Sequence, residues 1–256
     1  MIFTIALLDL KRNFKTPLAW IIIGITQLIF SYFLFVNTYF YSTQQDRIVE
    51  SGSSIGITSS LATPTLSIFM FIAIFIVPLL SIRLLGEERA NNTITLLLSS
   101  PISIPSLVLG KFFGILLFCL LILALQVISI IFYFAGETEL NYLHLASASL
   151  GMLLILSLYC SVSLFCSTIF NNSLTIAIAS FSAIALVWLI GISSSIINAD
   201  GFLTTLRQWL SLGNHTDDFF KGVLSFNHGL YFVVMTFSFL ILTYQNLESY
   251  RLSGKQ

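Results

Sequence analysis

Few side chains in this sequence could do chemistry, and their spacing decides which kind. His144, His215 and His228 lie far apart and lack the H-E-x-x-H spacing that sets two imidazoles on one helix face for zinc. Cys119, Cys160 and Cys166 show neither C-x-x-C nor mixed Cys/His spacing, so they read as buried reduced thiols and no metal site is expected. Gly110-Lys111 is the nearest approach to a phosphate-binding loop. A Walker motif also needs glycine five residues before that glycine and Ser or Thr after the lysine, where this chain has Pro105 and Phe112. The chain itself is therefore expected to bind no ATP and no other cofactor. Ser193, Ser194 and Ser195, next to Gly191, raise an intramembrane serine protease as an alternative. A serine nucleophile needs a base within reach, however, and no predicted span interior supplies His, Asp, Glu or Lys. The same lack of deep ionisable groups argues against a proton- or sodium-coupled carrier. What remains is a polar stretch, "GEERANNTITLLLSSPISIPSLVLGK", which gathers Glu87, Glu88, Arg89 and Lys111 between two long apolar runs.

The elements that must carry these residues follow from composition. Of 256 residues, 57% are hydrophobic and only 9% charged, against about a quarter charged in soluble domains. The mean hydropathy is +0.96, and the chain reads as an all-α integral membrane protein. Windows without Asp, Glu, Lys or Arg run over 16–45, 51–82, 112–136, 140–199 and 222–247. Each can hold about 20 apolar residues, enough to cross a hydrocarbon core as a helix. The long fourth window is broken by "FNNS" and holds two spans, which makes six: Pro17–Phe40, Pro64–Leu84, Ser106–Phe134, Ala146–Phe170, Leu174–Asn198 and Gly229–Asn246. The apolar run after Lys15 is too long for a signal-peptide core and lacks a cleavage site, so the first span is expected to stay. Lys11, Arg12, Lys15, Arg83, Arg89, Lys111, Arg251 and Lys255 fall on one side of this arrangement. By the positive-inside rule that side is cytoplasmic, and both termini with it. Because the two sides cancel to a formal net charge of zero, nothing points to a nucleic-acid partner.

Three segments between spans have a character of their own. In residues 1–16, Ile2, Phe3, Ala6, Leu7, Leu10 and Phe14 share one helical face and Asp9, Lys11, Arg12 and Lys15 the other. That pattern suits an amphipathic helix lying in the membrane interface against lipid or a partner, or simply a charged anchor. From Glu87 the apolar positions Ala90, Ile94, Leu97 and Leu98 recur at helical spacing until Pro101 and Pro105 turn the chain, so 87–99 is predicted to be a short helix along the surface. On the opposite side, Tyr41–Thr63 reads as an irregular loop and Ala135–Leu145 as a link. Within 199–228, "FLTTLRQWL" and "DDFFKGVL" are predicted to form two short helices broken at Gly213-Asn214. Gly110-x-x-x-Gly114 is a candidate helix-packing site and Pro78 a candidate hinge within span two. No repeat or linker divides the chain, which is read as one domain over 1–256.

The polar stretch and its flanks, "VPLLSIRLLGEERANNTITLLLSSPISIPSLVLGKFFGILL", resemble the most recognisable segment of ABC type-2 exporter permeases, particularly the gliding-motility permease branch. That branch typically reads P-x-x-T-M-R-x-x-A-E-E-R-x-x-G-T-x-E-x-L-L-T-x-P, then G-K-F. Pro78, Arg83, Glu87, Glu88, Arg89, Thr93, Leu97, Leu98, Pro101, Gly110, Lys111 and Phe112 match it. His215, Phe219, Gly222, Val223, Tyr231 and Phe232 fit the ending of the same family, and "FKTPLAWIIIG" its beginning. Gly86, Asn92, Thr95 and His228 stand where the pattern has alanine, glycine, an acidic residue and aspartate. The resemblance implies a half-transporter of the inner (cytoplasmic) membrane, exporting its cargo. Two six-span permeases, identical or different, would join a pair of cytoplasmic ABC ATPase subunits that hold ATP and magnesium. It also implies that 1–16, with Lys11, Arg12 and Lys15, is a connecting helix, and that 87–99, with Glu87, Glu88, Arg89, Thr93, Ile94, Leu97 and Leu98, is a coupling helix on those ATPases. By the same resemblance, 199–228, with His215, Phe219, Gly222 and His228, lies near an outer exit. A structural subunit of a larger membrane machine is the remaining alternative.

Overall fold

The computed structural model describes residues 2–50, 58–82, 103–134, 140–196, 211–223 and 225–252, which fold almost wholly into helices. These are α1 (Ile2–Phe14), α2 (Pro17–Glu50), a π-helical turn (Thr58–Ala62), α3 (Thr63–Ser81), α4 (Ile104–Tyr133), α5 (Tyr142–Ile169), α6 (Ser173–Ile196), α7 (Leu212–Phe220) and α8 (Phe226–Leu252). Among the described residues, α2, α3, α4, α5 and α8 are long and apolar enough to cross a membrane, while the apolar stretch of α6, Ser173–Leu189, is shorter. The chain is a multi-pass membrane protein. The predicted coupling helix 87–99, with all its named residues, lies outside the described residues, as do 199–210.

Local chemistry sets the helix boundaries. Pro17, Pro64 and Pro105 fall in first turns, where a missing backbone N–H costs nothing. Asn141 caps α5 by accepting from the backbone of Leu143 and His144, so α5 starts earlier than Ala146 and absorbs part of the expected link. Asn172 accepts from Leu174 N–H at 3.2 Å and starts α6 directly after α5. Two predictions about the loops need correcting. Helix α2 does not end near Phe40 but continues to Glu50, because "YSTQQDRIVE" contains no Gly or Pro to stop it. At 1.5 Å per residue it is about 50 Å long, well beyond a core of about 30 Å. Likewise, Gly213-Asn214 does not break a helix but lies inside α7. The break comes after Phe220, where Gly222 takes φ +83°. Gly222 N–H then donates to Phe219 O at 3.1 Å and Val223 N–H to Asp218 O at 2.8 Å, a Schellman termination.

Helix α5 forms the centre and packs against α3, α4, α6, α7 and α8. Small residues make this close approach possible: Ala148, Gly151, Ser157, Ser161, Ser163 and Ser167 are all buried on it. Ser157, Ser161 and Ser167 donate to carbonyls three residues back in the same helix, at 2.6–2.8 Å, which satisfies their hydroxyls where no water reaches. Helix α2, by contrast, turns Trp20, Leu28, Tyr32 and Phe35 outward. With α1 at the start of α4 and α7 beside the starts of α5 and α8, the bundle has an α1 end and an α7 end.

Candidate functional site

At the α1 end, α1 lies along the first turns of α4. Gly110 and Gly114 leave the covered face of α4 without side chains. A Cβ on Gly110 would stand 2.8 Å from Ile5 Cβ, and one on Gly114 would stand 3.0 Å from Asp9 Cβ and 3.5 Å from the Ala6 carbonyl oxygen. Between the two glycines Lys111 is 2% exposed, with Nζ 4.0 Å from Asp9 Oδ2. The other carboxylate oxygen, Oδ1, lies 3.5 Å from an Arg12 guanidinium nitrogen. A buried ammonium near a membrane edge is stable only with such a counter-charge.

This contact corrects the two-faced picture of residues 1–16, because α1 has three stripes. Ile2, Ile5, Ala6 and Asp9 meet the Gly110 and Gly114 face of α4, and Ala6 and Asn13 are buried. Phe3 and Leu7 are exposed, and Phe14 bridges to Trp20 and Phe118 at ring distances of 5.7 and 5.4 Å. Thr4, Leu8, Lys11 and Lys15 make up an exposed third stripe. The apolar set therefore splits, because the glycine groove accepts the stripe holding Asp9 and not the one holding Phe3. The corner into α2 is tied by Thr16 Oγ1 donating to Asn13 O at 2.7 Å and Trp20 Nε1 to Phe14 O at 3.1 Å.

At the α7 end the structure brings together His215, Phe219, Gly222 and His228. His215 Nδ1 and His228 Nδ1 are 2.6 Å apart, within hydrogen-bond distance. Asp218 Oδ2 lies 3.1 Å from His228 Nε2. Ser225 Oγ also donates to Asp218 Oδ2, at 2.8 Å, and His215 stacks on Tyr231 with centroids 4.1 Å apart. Where the resembled pattern has aspartate, His228 stands, and the carboxylate comes from Asp218 one helix away. Helix α5 adds donors to the last carbonyls of α7: Ser147 Oγ donates to Phe219 O at 3.0 Å and His144 Nε2 to Phe220 O at 2.8 Å. Both glycines here act by closeness, since a Cβ on Gly151 would lie 2.6 Å from Phe219 Cβ and one on Gly222 3.1 Å from His144 Cγ. In this cluster the serine donates to the carboxylate and not to an imidazole, so it is not a nucleophile–base pair.

Pro78 is buried within α3, its carbonyl accepting from Ser81 Oγ at 2.7 Å. Sequence reasoning missed Asp9, Lys111, Asp218 and His144 as partners. Only Lys111, one residue past the first glycine of a small-x-x-x-small pair, carried a signal that could have found its site.

A family model described as ABC-2 family transporter protein matches residues 3–247. The chain belongs to that family. As an ABC-2 chain it is a transmembrane subunit of a transporter, of a kind that is generally non-catalytic. No curated protein matches it closely enough to supply a substrate or partner by name.

Proposed function

We propose that this chain is one permease half of an ATP-driven exporter in the inner (cytoplasmic) membrane, working with a second permease, identical or different, and a pair of cytoplasmic ATPase subunits that bind ATP and magnesium. The family match over 3–247 carries this reading. Helix α6 completes six spans, since its 24 residues rise about 36 Å. The α1 end is cytoplasmic, which sets the Thr4, Leu8, Lys11 and Lys15 stripe toward the ATPase and turns Phe3 and Leu7 to lipid. Residues 87–99 form the coupling helix beside it, with Glu87 and Glu88 favoured at its N-terminus by the helix dipole and Ile94, Leu97 and Leu98 entering an apolar groove of the ATPase.

The experiment is co-purification with an ABC ATPase encoded beside the chain. The complex is expected to hydrolyse ATP and the permease alone to hydrolyse none; hydrolysis by the chain unaided would overturn the reading. Replacing Glu87 and Glu88 by Ala is expected to preserve expression and insertion, which depend chiefly on Lys and Arg, while weakening ATPase recovery by about tenfold, equivalent to about 1.4 kcal/mol. Unchanged assembly and hydrolysis would reduce the stretch to a connector.

A further inference from the structure

We propose that His144 is a positioning residue through which the start of α3 sets how firmly the end of α7 is held, because the one hydrogen on its Nε2 is shared between an acceptor on each helix. The inference goes beyond the permease reading and does not depend on an ATPase.

The hydrogen-bond roles follow from the partners. Phe220 O, 2.8 Å from His144 Nε2, is a carbonyl oxygen and can only accept, so Nε2 carries the hydrogen. Thr63 Oγ1 lies 3.3 Å from the same nitrogen, and its own hydrogen goes to Thr58 O at 2.9 Å. Toward His144 it is therefore a second acceptor. One N–H cannot point along both directions at once, and a hydrogen bond weakens as it leaves the line, so what Thr63 gains is taken from Phe220. Thr63 is the first residue of α3 and follows the π-helical turn Thr58–Ala62, a rare geometry that is frequent at functional sites. That turn is seated on α5 a second time, where Asn141 N–H donates to Thr58 Oγ1 at 2.8 Å. A shift of the start of α3 along α5 therefore changes the reach between Thr63 and His144. When Thr63 withdraws, the hydrogen turns wholly to Phe220 and the hold on α7 tightens; when Thr63 closes in, the hold slackens.

Other contacts keep α7 in place in either case. Ser147 donates to Phe219 O, Phe219 packs on Gly151, and Asp218 meets His228. The sharing thus adjusts the turn over 219–223 and does not release the whole helix.

Amide hydrogen exchange over 218–223, followed by mass spectrometry in the purified, detergent-solubilised full chain, reads this hold, since the Gly222 and Val223 N–H groups close the turn on Phe219 O and Asp218 O. His144→Leu fills the space of the ring without a donor, and exchange is expected to rise about fivefold, the worth of one net hydrogen bond. His144→Gln restores a donor and should return exchange close to the parent rate. Thr63→Val removes the competing acceptor at nearly the same size, and exchange should fall about threefold below the parent; Thr63→Ser keeps the hydroxyl and should match the parent. The fall is the decisive sign, because a threonine that only braced the start of α3 would loosen its surroundings when replaced. Parent-like exchange in His144→Leu overturns the hold. Equal exchange in His144→Leu and His144→Gln assigns the hold to ring packing against Gly222 and overturns the proposal as well. Exchange in Thr63→Val at or above the parent rate overturns the sharing.

Discussion

Single residues at the α7 end hold the bundle to a geometry that side chains would disturb. Gly222 sits at φ +83°, where an ordinary residue costs roughly 1–2 kcal/mol, and its missing side chain leaves room for the His144 ring. Gly222→Val is therefore expected to lower the thermal stability of the solubilised protein clearly more than Gly222→Asn, since asparagine tolerates the left-handed region. If the two variants melt alike, the turn is not held there. Gly151→Ala tests the same packing from α5: its Cβ would meet Phe219 Cβ at 2.6 Å, backbone-proximal atoms that cannot swing aside, so α7 must lift. Part of this was legible in the sequence, because His215, Phe219, Gly222 and His228 stood out together. Asp218 and His144 did not, since a carboxylate beside another carboxylate and a histidine at a helix start look like ordinary surface residues until the fold sets them against His228 and Gly222.

At the scale of elements, the contact between α4 and α5 has a built-in ruler. Cys119 Sγ on α4 and Cys160 Sγ on α5 are 3.9 Å apart and buried, whereas Cys166 has no cysteine opposite it among the described residues. Treatment with copper-phenanthroline is expected to oxidise the Cys119–Cys160 pair with loss of two thiols and retention of the third. Three surviving thiols after denaturation, under conditions that oxidise an accessible control, would mean that α4 and α5 pack in another register. The position of each long helix could be read from hydropathy, and the observed bounds of α3, α4, α5 and α6 lie within a few residues of the expected ones. The extension of α2 could not, because Ser and Thr at 42–43 suggested a loop although nothing there prevents a helix, and the Ser/Gly run in the sequence begins only at Ser51. The orientation of α1 was missed for a different reason. Amphipathicity records which residues avoid water, and lipid and a protein groove satisfy that condition equally.

For the whole molecule, the proposed function sets the α1 end toward the cytoplasm. A cysteine placed by Asn92→Cys is expected to react with an impermeant thiol reagent only from the cytoplasmic side; reaction from outside would invert the arrangement proposed here and move α1 away from any ATPase. Much at this scale was set by composition alone. Long charge-free windows demand membrane-crossing helices, because a backbone in hydrocarbon must satisfy its own hydrogen bonds, and the order of the motifs pointed to the family. Only the tertiary structure decided which helix is central and what Asp9, Lys111 and Asp218 meet. Between helices in lipid, selection rests on close fit and not on water avoidance, so the α1 stripe that fits the Gly110 and Gly114 groove is the one with Asp9. Lys111, which in the sequence looked like one more interfacial cation, is thereby drawn into the protein and paired.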